Sequence, residues 1–261
     1  MARPDDTIVM LPASTARLLA TAAGLPPDDV RAASLLPGWT VGHVLTHLAR
    51  NADSHVRRLD AAARGEVVPQ YAGGRAGRDA DIEAGARRPP AEIVADLRTA
   101  CDSLADFLAT VPDDVWDRAV VEREHFTAPA HTLPFTRLLE VEVHHADLGQ
   151  GYGPADWPPP FVDGALVSAL DRIERRRDNV TGPPASWHLH RTDGDGEWLI
   201  RRDPSGSTVT AEHVKADCAI RGPGRGLLAW LLGRAGADEA GLDVLGDEAL
   251  AAQLPSLYAY G

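Results

Sequence analysis

In the first half of the chain apolar residues recur at helical rather than strand spacing. From Leu11 to Ala23 the sequence is rich in Ala and Leu and stops at Gly24 and a Pro-Pro pair, a helix with its termination signal. A second helix is expected to start after Thr40, an N-cap residue behind the turn LPGW, and to run to about Arg64. Ile93, Leu97, Cys101, Leu104, Phe107 and Leu108 mark a third between Pro90 and Thr110, and a fourth is expected from about Pro134 to Leu148. The stretch GEVVPQYAGGRAGR between the second and third is Gly-rich and aperiodic and reads as a long loop. Together these elements predict an up-and-down four-helix bundle with one long connection.

After GYGPADWPPP the pattern changes. A helix near Phe161 to Arg177 precedes ASWHLHRTDGDGEWLIRRD, two alternating runs around a D-G-D-G turn and therefore a hairpin signal. Strand-like runs follow at STVTAEH and ADCAIRG, then a helix from about Pro223 to Arg234. The expectation is an α+β protein, with a helical bundle over 1–155 and a small α+β domain over 156–261.

Charge and composition narrow the function classes. Acidic residues outnumber basic ones by 38 to 26, and a net charge of -12 opposes attachment to phosphate backbones and anionic membranes. The first residues, MARPDDTIVM, lack a basic segment followed by an apolar one, and no run approaches eighteen apolar residues, so a cytoplasmic protein without nucleic-acid or membrane partners is expected. The only cysteines, Cys101 and Cys218, are far apart and can build neither a disulfide framework nor a thiolate zinc site. Any thiol chemistry needs an external thiol.

Two clusters carry candidate chemistry. His43 and His47, four residues apart, share one helix face, a spacing that permits joint metal ligation and equally permits ordinary capped or solvated side chains. His55 lies two turns further on. In RLLEVEVHHADLGQGYG, Glu140 and His144 form one i, i+4 pair, while Glu142 and His145 form an E-x-x-H pair on another face. The apolar stripe of Leu139, Val143 and Ala146 adjoins Glu140 and His144 and predicts a more exposed Glu142. A carboxylate and an imidazole beside that stripe are costly to bury unless paired or ligated. His47, Glu140 and His144 together would supply two imidazoles and a carboxylate, leaving positions open for water or substrate. A di-iron bundle would need a second helical E-x-x-H; Glu122 and His125 have that spacing but lie in a β-branched, Pro-closed segment.

Four segments, LPGWTVGHVLTHLARNAD, YAGGRAGRDADIEAGARRP, RLLEVEVHHADLGQGYGPADWPP and RGPGRGLLAWLLGR, resemble in content and order the mycothiol-dependent maleylpyruvate isomerases, which are DinB-like metal-binding four-helix bundles. The resemblance implies a divalent metal, usually zinc, held by His47, Glu140 and His144, and a catalytic Arg234 in a sterol-carrier-type C-terminal domain. It leaves His43 as a neighbour of the pocket or a helix-face residue and His55 as solvated, and brings Arg78 and Asp81 towards the cleft. Asp147 and Asp53 are candidates to hold the ligands' free ring nitrogens. The implied reaction is thiol-dependent cis–trans isomerisation of maleylpyruvate to fumarylpyruvate, in gentisate breakdown, with mycothiol as the borrowed thiol. A mycothiol S-transferase acting on another electrophile, a thiol-independent zinc hydrolase and a metal-binding protein without isomerase activity are the alternatives.

Overall fold

Six helices and one hairpin make the first part of the chain: α1 (Asp5–Gly24), a short α2 (Pro27–Arg31), α3 (Val41–Ala63), α4 (Gly74–Ala86), α5 (Pro90–Thr110), the antiparallel pair β1 (Ala119–Arg123) and β2 (Phe126–Pro129), and α6 (Leu133–Asp147). The computed structural model describes residues 3–123, 126–175 and 182–258, and the chain divides into two units, 1–153 and 154–261. In the first, α1, α3, α5 and α6 form the expected four-helix bundle, each packing on two of the others.

Local chemistry explains where these helices begin. The turn LPGW holds Gly38 at φ 80°, in the left-handed region that favours glycine, and delivers the chain to Thr40. The Thr40 hydroxyl accepts from the His43 backbone N–H at 3.3 Å, and the His43 ring accepts the Thr40 N–H at 3.2 Å, which satisfies both donors at the start of α3. Pro90 opens α5, where its fixed φ suits the first helical turn and its missing N–H is not needed. Leu18, Leu45, Leu48, Leu59, Ile93, Leu97, Leu104 and Leu138 are buried between the four helices, each worth about 1.5–3 kcal/mol of transfer free energy.

The structure corrects four expectations. The first helix begins at Asp5 instead of Leu11, with Asp5 and Asp6 in its first turn, where acidic side chains favour the helix N-terminus. It is long and apolar enough to cross a membrane, yet Leu11, Leu18, Leu19 and Ala22 pack into the bundle. The Gly-rich stretch gives way at Gly74 to α4, a helix with no apolar stripe because only Ile82 is buried. It lies so close to α3 that a Cβ on Gly85 would come within 2.4 Å of the Thr46 methyl. His55 is buried rather than solvated, its Nδ1 2.8 Å from the Asn51 carbonyl. Glu142 is also buried: its carboxylate takes Arg17 at 2.8 Å and the hydroxyls of Ser14 and Tyr152, which clasp α1 and the end of the unit onto α6. The buried face of α6 is therefore wider than its apolar stripe, because α1 meets it with polar groups that answer the charge. The segment of Glu122 is not helical, in keeping with its β-branched composition, but forms strand β1, which was not expected; His125 lies outside the described residues.

The second unit follows the predicted α+β pattern. Helix α7 (Pro159–Arg175) precedes β3 (Ala185–Arg191), β4 (Glu197–Asp203), β5 (Gly206–Thr210), β6 (Cys218–Gly222), α8 (Gly224–Leu231), β7 (Asp243–Gly246), α9 (Glu248–Ala251) and α10 (Leu254–Tyr258). The sheet order is β5-β4-β3-β6-β7, with β3 and β6 parallel and the other pairs antiparallel. Trp187, Leu189, Ile200 and Ile220 form its core with Phe161, Leu166, Leu170, Leu227 and Leu228 of α7 and α8.

Replacing Glu142 with Ala leaves Ser14, Arg17 and Tyr152 without their shared acceptor. Glu142→Ala is expected to lower the unfolding free energy by about 3 kcal/mol, read from urea denaturation, while a surface change such as Glu239→Ala has little effect.

Candidate metal centre

The capped start of α3 sets the rotation of the helix, and with it the direction of His47. Helix α3 packs against α6, and His47 faces Glu140 and His144 across the helix pair. One oxygen of Glu140 lies 2.9 Å from His47 Nε2 and 3.4 Å from His144 Nε2. The two imidazole rings stand perpendicular with centroids 4.8 Å apart. Both histidines are buried and the Glu140 side chain is 13% exposed, so the three donors are removed from bulk water on most sides.

The electrostatics follow from that burial. Desolvation is the largest influence on His47 and lowers its pKa to about 4, against the pull of Glu140, so its ring is neutral at pH 7. Desolvation also acts on Glu140 and His144, but hydrogen bonds override it in both. His144 and His47 hold the Glu140 carboxyl well below the usual carboxylate range. Asp147 and Glu140 raise His144 above its ordinary value.

The residues fit a divalent ion of the zinc class. Metal–ligand bonds of about 2.0–2.1 Å in a tetrahedral arrangement separate the donor atoms by about 3.3 Å, and the separations of 2.9 and 3.4 Å bracket that value. Asp147, itself buried, takes His144 Nδ1 at 2.8 Å and so turns Nε2 inward. Asp53, the other carboxylate considered from sequence, does not reach the cluster; it pairs with Arg50 at 3.1 Å near the surface. His43 caps α3 and meets Glu83 at 3.1 Å, outside the donor set.

The wall of the site contains residues that spacing arguments missed. Trp39, from the turn before α3, packs edge-on to His47 with centroids 5.6 Å apart. Arg78 of α4 places its guanidinium 5.7 Å from the Trp39 ring centre and 5.9 Å from that of Tyr71, with Nη2 3.4 Å from His47 Nδ1. Arg78, which the resemblance brought towards the cleft from a loop, stands beside His47 on helix α4, while Asp81 is exposed. Aromatic residues in a turn and a Gly-rich stretch carried the available signal, but no periodicity tied them to His47. In the second unit Arg234 follows α8, and its guanidinium donates to the Leu232 carbonyl at 2.6 Å, at the negative end of that helix.

Sequence comparison matches residues 11–149 to the mycothiol maleylpyruvate isomerase N-terminal domain and residues 156–253 to the C-terminal domain of the same family. The chain belongs to the mycothiol maleylpyruvate isomerase family. The fold agrees: a crystal structure of the mycothiol-dependent maleylpyruvate isomerase superimposes with a TM-score of 0.75 at 21% identity, covering 92% of each chain. A histidine-to-alanine mutant of that isomerase gives the same score and coverage at 20% identity. No curated sequence matches significantly. Within this family the cluster of His47, Glu140 and His144 stands on the bundle domain alone, since all three residues lie inside the N-terminal match.

Two measurements follow from the geometry. Relative to the wild type, His47→Ala, Glu140→Gln and His144→Ala are each expected to lose one equivalent of zinc per chain by elemental analysis, whereas His43→Ala loses none. In metal-free protein, stability is expected to fall as pH drops from about 6.5 towards 4. His47 and His55, both held neutral by burial, take up protons only on unfolding in that range, at about 1.4 kcal/mol per pH unit each. The raised pKa of His144 acts above that window, where its contribution is lost as pH rises. Urea midpoints that do not change between pH 6.5 and 5 would contradict the neutral state of the two rings.

Proposed function

We propose that this protein is a mycothiol-dependent maleylpyruvate isomerase that converts maleylpyruvate to fumarylpyruvate. The observation that carries this reading is the buried cluster of His47, Glu140 and His144 in a chain whose two halves both match the family. A zinc-class ion held by His47, Glu140 and His144 would supply the Lewis acidity that favours the thiolate form of the borrowed thiol. Reversible addition of that thiolate to the conjugated alkene would leave a single bond free to rotate before elimination returns the thiol.

The chain's own residues make that chemistry accessible. His47 is neutral at working pH, the charge state in which an imidazole ligates a metal. Glu140 adds one negative charge to the site, so the donor set of two imidazoles and one carboxylate would leave a divalent ion with net positive charge. Asp147 fixes the tautomer and orientation of His144 through Nδ1. Trp39 and the aliphatic walls of α3 and α6 limit water around the donors, which strengthens each of these interactions. Arg78, beside His47, is a cation for a substrate carboxylate. Arg234 is assigned a catalytic role by its place in the family's C-terminal motif.

The borrowed thiol agrees with the state of the chain's own cysteines. Both are buried, and burial pushes the Cys218 thiol up to about 11, which makes it a poor nucleophile at neutral pH. The reading places the protein in the cytoplasm, where low-molecular-weight thiols are kept reduced.

Incubation of the purified, zinc-loaded protein with mycothiol and maleylpyruvate is expected to yield fumarylpyruvate, followed by NMR, with no turnover when the thiol is omitted. Conjugates formed with other electrophiles in place of fumarylpyruvate would assign the S-transferase alternative, and turnover without thiol would assign a hydrolase. Arg234→Ala is expected to lower kcat/KM by about 100-fold or more with metal content unchanged, the loss of a charge-assisted bond to substrate of roughly 3 kcal/mol.

A further inference from the structure

The sheet of the C-terminal unit carries a second group of metal-ligating side chains. Strand alternation puts His188 and His190 on the same face of β3, and the register sets Glu197 of β4 opposite His190, diagonal to His188. His213, in the segment 211–217 between β5 and β6, lays its ring perpendicular to that of His188 with centroids 5.4 Å apart. One oxygen of Glu197 is shared: it contacts His213 Nδ1 and lies 3.1 Å from His188 Nε2. The His188, Glu197 and His213 donor atoms lie within 4.8 Å of one another.

The state of His188 distinguishes this group from an ordinary surface ion pair. The residue is 8% exposed, yet its Nε2 has no hydrogen-bond partner, because the Glu197 oxygen at 3.1 Å is not aligned to accept from it. A buried ring nitrogen without a partner costs about 1–3 kcal/mol, a penalty that a coordinated ion in the same place removes. The 3.1 Å separation is close to the roughly 3.3 Å between donors on one tetrahedral zinc-class ion. His190, with its ring centroid 6.3 Å from that of His188, lies beside the donor set.

We propose that His188, Glu197 and His213 bind a zinc-class divalent cation on the C-terminal sheet, separate from the cluster in the bundle, and that the ion fastens segment 211–217 to β3 and β4. Two imidazoles and one carboxylate suit Zn²⁺, Ni²⁺ or Cu²⁺ over Mg²⁺ or Ca²⁺, which prefer all-oxygen sets. Two of the ligands sit on adjacent paired strands and need little ordering. The third arrives on a connection with no helix or strand of its own, so binding restrains that connection.

The test uses full-length protein stripped with EDTA, reloaded with Zn²⁺ and desalted, with metal counted by elemental analysis. The wild type is expected to retain two equivalents, His213→Ala one, His47→Ala one, and the double variant none. In the His47→Ala background, Zn²⁺ is expected to raise the melting temperature and slow proteolysis within 211–217, and to do neither when Glu197→Gln is added. His213 is 79% exposed, so its replacement leaves the fold intact, which circular dichroism verifies. If His47→Ala binds no zinc, or His213→Ala and Glu197→Gln retain as much as the wild type, the proposal is overturned. A single equivalent that survives His47→Ala but disappears in His213→Ala would instead uphold this site and remove the metal centre of the bundle.

Discussion

A single carboxylate oxygen, on Glu140, is shared by imidazoles from two different helices, and the bundle is arranged so that this contact can exist away from water. Taking a carboxylate and two histidines out of solvent is unfavourable by several kcal/mol unless each finds a partner. Here the partners are one another, with Asp147 completing His144 and Arg78 standing beside His47. The result is opposite protonation behaviour in neighbouring rings: His47 is pushed down by burial, while His144 is pulled up by its two carboxylates. A divalent cation would satisfy all three donors together.

The apolar core decides how closely α3 and α6 approach, but polar contacts decide how they are rotated. Thr40 fixes the first turn of α3, and with a helix of 3.6 residues per turn that choice determines where His47 points. On α6 the same role falls to Glu142, drawn inward by Ser14 and Arg17 of α1 and by Tyr152. Glu140 and Glu142, two residues apart on α6, face different neighbours: one meets the imidazoles and the other binds α1.

The C-terminal unit uses a different logic, since its histidines stand on a sheet. There a period of two places His188 and His190 together, and cross-strand register, not helical spacing, brings Glu197 to them. His213 joins from a connecting segment, a position that neither period describes.

The sequence by itself determined the helices of the bundle, the hairpin around D-G-D-G and the candidate ligands His47, Glu140 and His144, because caps, prolines and periodic apolar residues act locally and leave a trace at fixed spacing. The motif resemblance then chose His47 over His43, which spacing alone left open. Tertiary structure decided what depends on neighbours distant in the chain. Glu142 read as more exposed and His55 as solvated because apolar spacing gave no reason to bury them; α1 supplied that reason for Glu142, while His55 is buried with its Nδ1 on the carbonyl of Asn51, one turn back on its own helix. Helix α4 was hidden by glycines whose purpose, a close approach of Gly85 to Thr46, exists only once α3 is beside it. Burial and long-range pairing are properties of the assembled chain, and no periodicity in one segment records what the other segments bring to it.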